Sequence, residues 1–336
     1  MVLTALCLTF VVFFLTNLEP NLEKLTKSEG NQRMTDEQVD AWLTRNGYRQ
    51  NLLVRYGEWL GVAPGWVNTH EGKTFGRCIK PGMEPADAST FCGVIQGDWG
   101  SSTVFKEPVA DIIGKKLGLT GWLMFWVMIV MVPSALIIGV FAGMKEGSKT
   151  DRTLSTFSIM STSTPEYVSG VILIVVFASR LGGLQWFKGT AASAMESITF
   201  ANFTLPVATM ALYGVGYIAR MTRASMAEVM TAQYIRTARL KGVSFRDVVL
   251  KHALRNALIA PFTVIMLQFP WLLTGVVIVE SLFNYKGFGW TLVAAAGNND
   301  IELLMGASVV AVLVVLVTQL ISDIGYVFLN PRVRVN

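Results

Sequence analysis

The sequence predicts an all-α integral membrane protein: six transmembrane helices, a large extracytoplasmic segment between helices 1 and 2, and a basic cytoplasmic loop between helices 4 and 5. Three observations predict it. Of 336 residues, 52% are hydrophobic and only 15% charged, well below the quarter charged of a typical soluble domain. The mean hydropathy is +0.48. Apolar runs long enough to cross a bilayer recur along the chain, and the surplus Lys and Arg gather in short loops on one side of them.

The clearest span is 121–143 (GWLMFWVMIVMVPSALIIGVFAG), which carries no charge. Runs at 257–279 and 303–322 are comparable, and 2–18 is apolar but short. Two weaker candidates complete six: 156–178, diluted by Ser, Thr and Glu166, and 201–219, diluted by Gly, Pro and Thr. Small residues are what membrane helices use where backbones approach closely. Cys7, inside the first span, reads as a packing residue.

Short loops set orientation. The 220–255 loop holds Arg220, Arg223, Arg236, Arg239, Lys241, Arg246, Lys251 and Arg255 against the acids Glu228 and Asp247, so it faces the cytoplasm. Lys145, Lys149 and Arg152 in the 144–152 loop and Arg332 and Arg334 in the tail agree, while 180–200 and 280–302 carry few basic residues. Both termini are then cytoplasmic. The net charge of +5 has its place in juxtamembrane loops, where topology and anionic lipid account for it. Nucleic acid is therefore not an expected partner.

The domain reading is a first helix at 1–18, an extracytoplasmic segment at 19–118, and a five-helix core at 119–336 that includes the loop 220–256. In the outer segment, Thr35 followed by Asp36 and Glu37 predicts a helix start, with Val39, Trp42 and Leu43 on one face. The Gly- and Pro-rich stretch 61–97 reads as loop. Two nearby cysteines there, Cys78 and Cys92, predict a disulfide in an oxidising compartment; the alternative is two free thiols.

Within the basic loop, Ala232–Leu240 contains no Gly or Pro, and Gly242 is placed to end a helix in the left-handed conformation. Ser244 with Asp247 three residues on resembles a capping box, starting a second helix that runs toward Pro261. The expected form is helix, hinge, helix. An apolar face of Tyr234, Ile235 and Ala238 suits burial in a partner's groove, with Arg236 and Arg239 pairing with acids on its rim. The plain alternative is a basic loop that satisfies topology.

Catalytic motifs are missing. EGKT at 71–74 and EGSKT at 146–150 fail the phosphate-loop pattern because Val67 and Ser148 stand where glycine is required. The two histidines, His70 and His252, belong to no HExxH, and there is no CxxC or GxSxG. Among intramembrane charges, Glu166 is the candidate for the pathway, whereas Glu280 and Asp323 read as structural groups near the interfaces.

Four segments, LPVATMALYGVGYIARMTRASMAEVM, YIRTARLKGVSFRDVVLKHALRNALIAP, GVVIVESLFNYKGFGWTLV and DIGYVFLNPRVR, resemble the inner-membrane permease subunits of peptide and nickel importers of the ATP-binding-cassette superfamily. The likeness is most specific from residue 98 to 334, and MTDEQVDAWLTRNGY resembles the first outer segment of the same subunits. Two departures stand out: the usual basic N-terminal stretch is absent, and the cysteine-bearing segment near 67–92 looks like an insertion. The resemblance implies a bacterial inner-membrane permease that forms half of a translocation pathway. Its implied partners are a second homologous permease, two nucleotide-binding ATPase subunits that bind ATP and Mg, a periplasmic substrate-binding protein, and membrane lipid. It also makes the basic loop the coupling (EAA) motif, with Arg236 at the acidic position, then Thr237 and Ala238, and Gly242 as the motif's glycine. Tyr234, Ile235, Arg236, Thr237, Ala238, Arg239, Lys241, Gly242, Ser244 and Asp247 are then the ATPase-coupling residues. The chain itself is expected to hold no cofactor or metal and to be no enzyme. The implied solutes are oligopeptides or dipeptides, with nickel, oligosaccharides or opine-like conjugates as alternatives. The rival class is an ion-coupled secondary transporter, which would usually show repeated halves; no internal repeat is visible.

Overall fold

Helices begin and end where the side chains dictate in this computed structural model, which describes residues 2–70, 73–79, 82–182 and 184–329. Arg332 and Arg334 of the expected cytoplasmic tail, and Glu71 and Gly72 of the EGKT stretch, lie outside them. The chain forms two compact units, residues 1–117 with 291–316, and 118–290 with the chain from Val317 onward.

In the first unit α1 (Val2–Thr16) and α2 (Glu19–Glu29) meet at a 62° bend. Leu18 between them is extended, and Pro20 occupies the first turn of α2, where its missing N–H costs nothing. α3 (Asp36–Arg45) starts at a capping box: Thr35 Oγ1 accepts from the Gln38 N–H at 3.4 Å, and Gln38 Oε1 accepts from the Thr35 N–H at 3.1 Å. Val39 and Leu43 face inward, as their spacing predicts. Asn51 caps α4 (Leu52–Leu60), which ends at Gly61 with φ +89°. Phe13, Leu22, Leu25, Val39, Leu43 and Trp59 close a core with Ile301, Met305 and Val309.

The stretch expected to be loop contains an antiparallel hairpin, β1 (Val67–His70) and β2 (Lys73–Gly76). Four-residue strands are too short for apolar alternation to show in the sequence. Cys78 and Cys92 form a disulfide, Cα to Cα 5.5 Å, just beyond it. Cys7 corrects its expectation: it lies on the exposed side of α1, because the packed side carries Thr9 and Phe13.

The second unit is built on α5 (Val109–Gly143), whose later part contains the uncharged run, and on α8 (Phe200–Thr231). Gly216 marks the close approach of α8 to α6 (Lys149–Ser163): a Cβ there would stand 2.5 Å from the Ser158 carbonyl. α6 and α7 (Glu166–Phe177) meet at 109°, so the expected span 156–178 is no straight helix. Pro165 has no N–H to continue α6 and excludes the α conformation at Thr164, which is extended at φ −93°, ψ 121°.

After α8 come α9 (Gln233–Leu240), α10 (Phe245–Asp247), a π-helical turn Val248–Ala253, α11 (Leu254–Ala257) and α12 (Ile259–Leu282). The continuous second helix expected from Ser244 toward Pro261 is thus widened by the π turn and bent 51° before α12. Pro261 cannot donate to the Ala257 carbonyl, and the chain accommodates the loss there. The expected outer loop 280–302 holds a helix, α13 (Phe288–Gly297), before α14 (Ile301–Leu329). Among the described residues, α5 and α14 are each long and apolar enough to span a membrane, and three bent pairs raise the number to five.

Candidate coupling site

Ala232 is extended at φ −64°, ψ 148°, which ends α8 and sets α9 at a new angle. α9 stops at Lys241, and Gly242 takes φ +77° with no atom within 4 Å of where a Cβ would be. The glycine is needed for its backbone, not for space. Ser244 then starts the next segment: its Oγ accepts the Asp247 N–H at 3.2 Å and donates to Asp247 Oδ2 at 2.8 Å. Asp247 also pairs with Lys251 at 2.8 Å, and these two contacts hold its carboxyl below the usual aspartate range. The helix, hinge and capped restart stand where the sequence places them.

The faces of α9 differ from expectation. Ile235 is 1% exposed and Ala238 8%; both pack against Met226, Val248, Val249, Ala253 and Ala257 of the same chain. Residues three apart lie on one side of a helix, and that side seals this small core instead of facing a partner. Tyr234 is exposed, and its hydroxyl accepts from Asn256 Nδ2 at 2.9 Å. The outward face carries Arg236, Thr237, Arg239, Leu240 and Lys241. Leu240 is 80% exposed; the i, i+3 rule that buries Ile235 and Ala238 turns it outward, a signal present in the sequence. Arg239 lies 5.9 Å from the Phe245 ring centre, across the hinge.

A second anchor lies beside this segment. Asp151, 3% exposed, receives Arg223 Nε on Oδ1 and Arg223 Nη2 on Oδ2, both at 2.8 Å. The Gly147 N–H adds a bond at 2.9 Å and Ser155 Oγ one at 3.0 Å. The Arg223 bonds foremost, helped by the other two, hold the Asp151 carboxyl well below the usual range. This pair ties the start of α6 to the last turns of α8. In the sequence Arg223 stands out only as a topology charge. Ser148 with Asp151 repeats the Ser-x-x-Asp spacing of Ser244 and Asp247, a signal available beforehand for the cap though not for the arginine.

Glu280 is a structural group, and a buried one. It is 0% exposed, accepts the Trp290 N–H at 2.8 Å and the Thr120 hydroxyl, and Thr120 Oγ1 in turn accepts the Phe288 N–H at 2.7 Å. It caps α13 and closes the preceding turn, where a Cβ at Gly287 would stand 2.2 Å from Glu280 Oε1. Buried acids are found with such partners. Asp323 is exposed, accepting from Gln319 at 3.0 Å. Glu166 is half-buried at the first position of α7. His252 is exposed. Val67 lies in β1, and Ser148 caps α6 by accepting the Asp151 N–H at 3.1 Å.

Comparison with known proteins adds the family. Residues 135–335 match the model of the binding-protein-dependent transport system inner membrane component. The glutathione transport system permease proteins GsiC of Escherichia coli (strain K12) and Shigella boydii serotype 4 (strain Sb227) are each 35% identical over 240 residues, 71% of this chain and 76% of theirs. A chain from a crystal structure of an amino acid ABC transporter with histidines aligns over 65% of this chain and 94% of its own, at a TM-score of 0.48 and 15% identity. With a family match across the helical core and the permease relatives reaching beyond it, this chain belongs to the inner-membrane permeases of ATP-binding-cassette importers.

Proposed function

We propose that this permease forms half of a pathway for peptides, with glutathione-like tripeptides the first class to try, and that ATP-driven motion reaches it through residues 231–247. The carrying observation is the two-sided build of α9. Its inner face is fused to the chain's own core through Ile235 and Ala238, and its outer face offers Arg236, Arg239 and Leu240. An element gripped on one side and presented on the other transmits a push to α8 and to the π-helical turn. On this reading ATP and Mg are bound by two partner ATPases, a second permease supplies the other half of the path, and a periplasmic protein delivers the solute. The name of the GsiC relatives supports the peptide class.

Six spans fit this role: α1, α5, the end of α6 with α7, α8, α12 and α14; α8, at 32 residues, extends about 48 Å. Both termini and the coupling loop then face the cytoplasm, with 19–118 outside. The charge bias of the 220–255 loop supports that orientation.

Extraction of the tagged chain in mild detergent, with mass spectrometry of what co-elutes, tests the assembly. Recovery of a second permease and Walker-motif ATPases is expected, and labelled glutathione should enter proteoliposomes of that complex only with ATP. Arg239→Glu should abolish uptake with the chain still in the membrane. Normal ATP-driven uptake by that variant would remove the coupling role; recovery of the chain alone, with flux following an ion gradient, would favour a secondary transporter.

A further inference from the structure

A cavity of about 850 Å³ opens within the first unit, among α1, α3, α4, the hairpin and the first turn of α14. That is the size of a small-molecule site. Its wall carries four carboxylates, Glu29, Glu58, Asp98 and Glu302, and two guanidiniums, Arg55 and Arg77.

Some of these charges are satisfied within the chain. Arg55, 8% exposed, donates through Nη1 to the Tyr48 carbonyl at 3.0 Å and through Nη2 to Asn17 Oδ1, and it lies 4.9 Å from the Tyr48 ring centre. Glu58 is 3% exposed, and burial pushes its carboxyl above the usual glutamate range. Two other atoms differ. Arg77 Nε and Glu302 Oε2 are buried with no protein group within hydrogen-bond reach, and among the described residues only Gln268 Oε1 shares that condition.

A buried polar atom without a partner is rare in folded proteins. Here a leftover donor and a leftover acceptor line one cavity. Arg77 Nε matches a carboxylate oxygen, and Glu302 Oε2 matches an ammonium N–H. The indole rings of Trp42 and Trp66 in the same wall offer faces that attract a cation. Arg77 is fixed from both sides: its N–H donates to the Trp66 carbonyl at 3.0 Å, and the next residue is the disulfide-bonded Cys78. The disulfide thereby steadies the backbone that carries this guanidinium.

We infer that the first unit carries its own binding site for a small solute bearing both an amine and a carboxylate, an amino acid or a short peptide, with Arg77 on the carboxylate and Glu302 on the amine. The site uses no residue of the coupling segment, so it stands or falls apart from the import reading.

Titration of the purified full-length chain in detergent with triglycine, without nucleotide or partner subunits, tests it. The readout is tryptophan fluorescence, because Trp42, Trp59 and Trp66 line the cavity. A saturable change is expected, weakened at least tenfold by N-acetylation or C-terminal amidation of the peptide. Arg77→Gln and Glu302→Gln should each weaken it at least tenfold while melting within a few degrees of the parent. Should a variant fail to fold, the end-blocked peptides on the parent chain still decide. No saturable signal from triglycine overturns the inference. So does binding indifferent to blocking or to both variants, which would put the peptide elsewhere, such as the transmembrane pathway.

Discussion

Arg223 holds Asp151 through two hydrogen bonds of 2.8 Å each, Nε to Oδ1 and Nη2 to Oδ2. The acid side chain is 4% exposed and the arginine 31%, so the pair is shielded on the carboxylate side and wet on the other. It connects the start of α6 to the part of α8 that leads into the coupling helix. Breaking a buried pair by removing one partner costs more than the pair contributes net. Discounted for the exposure of Arg223, Asp151→Ala should destabilise the chain by about 2 kcal/mol. Thermal melts in detergent check it, and a double-mutant cycle with Arg223→Ala should recover a coupling of about 1–2 kcal/mol.

The same pair has a pH signature. A carboxyl held lower when folded than when unfolded stabilises the fold at pH values above its unfolded value, and that stabilisation is lost as pH falls toward the folded value. The ordinary aspartate value is 3.8. The gap in melting temperature between the native chain and Asp151→Asn should therefore stay level above about pH 5 and shrink below about pH 4. A gap independent of pH down to 3 would mean that the charge of Asp151 contributes nothing.

Gly242 tests backbone against contact. With φ +77° and open space around the missing Cβ, Gly242→Ala meets no clash and only the left-handed penalty, about 1–2 kcal/mol. The hinge should loosen, so ATP-driven uptake should fall several-fold while the melting temperature moves only a few degrees. Gly242→Asn, which tolerates that conformation better, should retain more uptake than alanine. Equal uptake by both variants would rule out the conformational role.

The two faces of α9 make opposite predictions. Ile235→Asp puts a charge into a closed core and should cost about 3 kcal/mol or more, seen as loss of folded protein on gel filtration. Leu240→Asp, on a side chain 80% exposed, should leave stability within about 0.5 kcal/mol yet abolish stimulation of the partner ATPases. A Leu240→Asp complex with full stimulation would place the docking surface elsewhere.

Glu280 should separate shape from charge. Glu280→Leu leaves the Thr120 hydroxyl and the Trp290 N–H without their acceptor and should cost about 3 kcal/mol. Glu280→Gln keeps one carbonyl oxygen and should cost about half of that. Melting temperatures of the two variants decide it, and equal losses would show that the charge rather than the hydrogen bonding matters.

The sequence alone determined what depends on neighbours along the chain. Apolar runs fix which helices suit a bilayer, Thr35 and Ser244 fix helix starts, Gly242 fixes the hinge, and the quoted motifs carry the family, because each is written within a few turns of helix. Only the tertiary structure decided which side of α9 is buried, that Asp151 meets Arg223 across 72 residues, that Glu280 is a buried cap, and that Arg77 and Glu302 line one cavity. Spacing gives the set of residues on a helix face but not what that face meets. A charge in a string of letters looks alike whether water or another chain segment neutralises it, and the partner is chosen by packing of segments far apart in sequence, where local propensity has no influence.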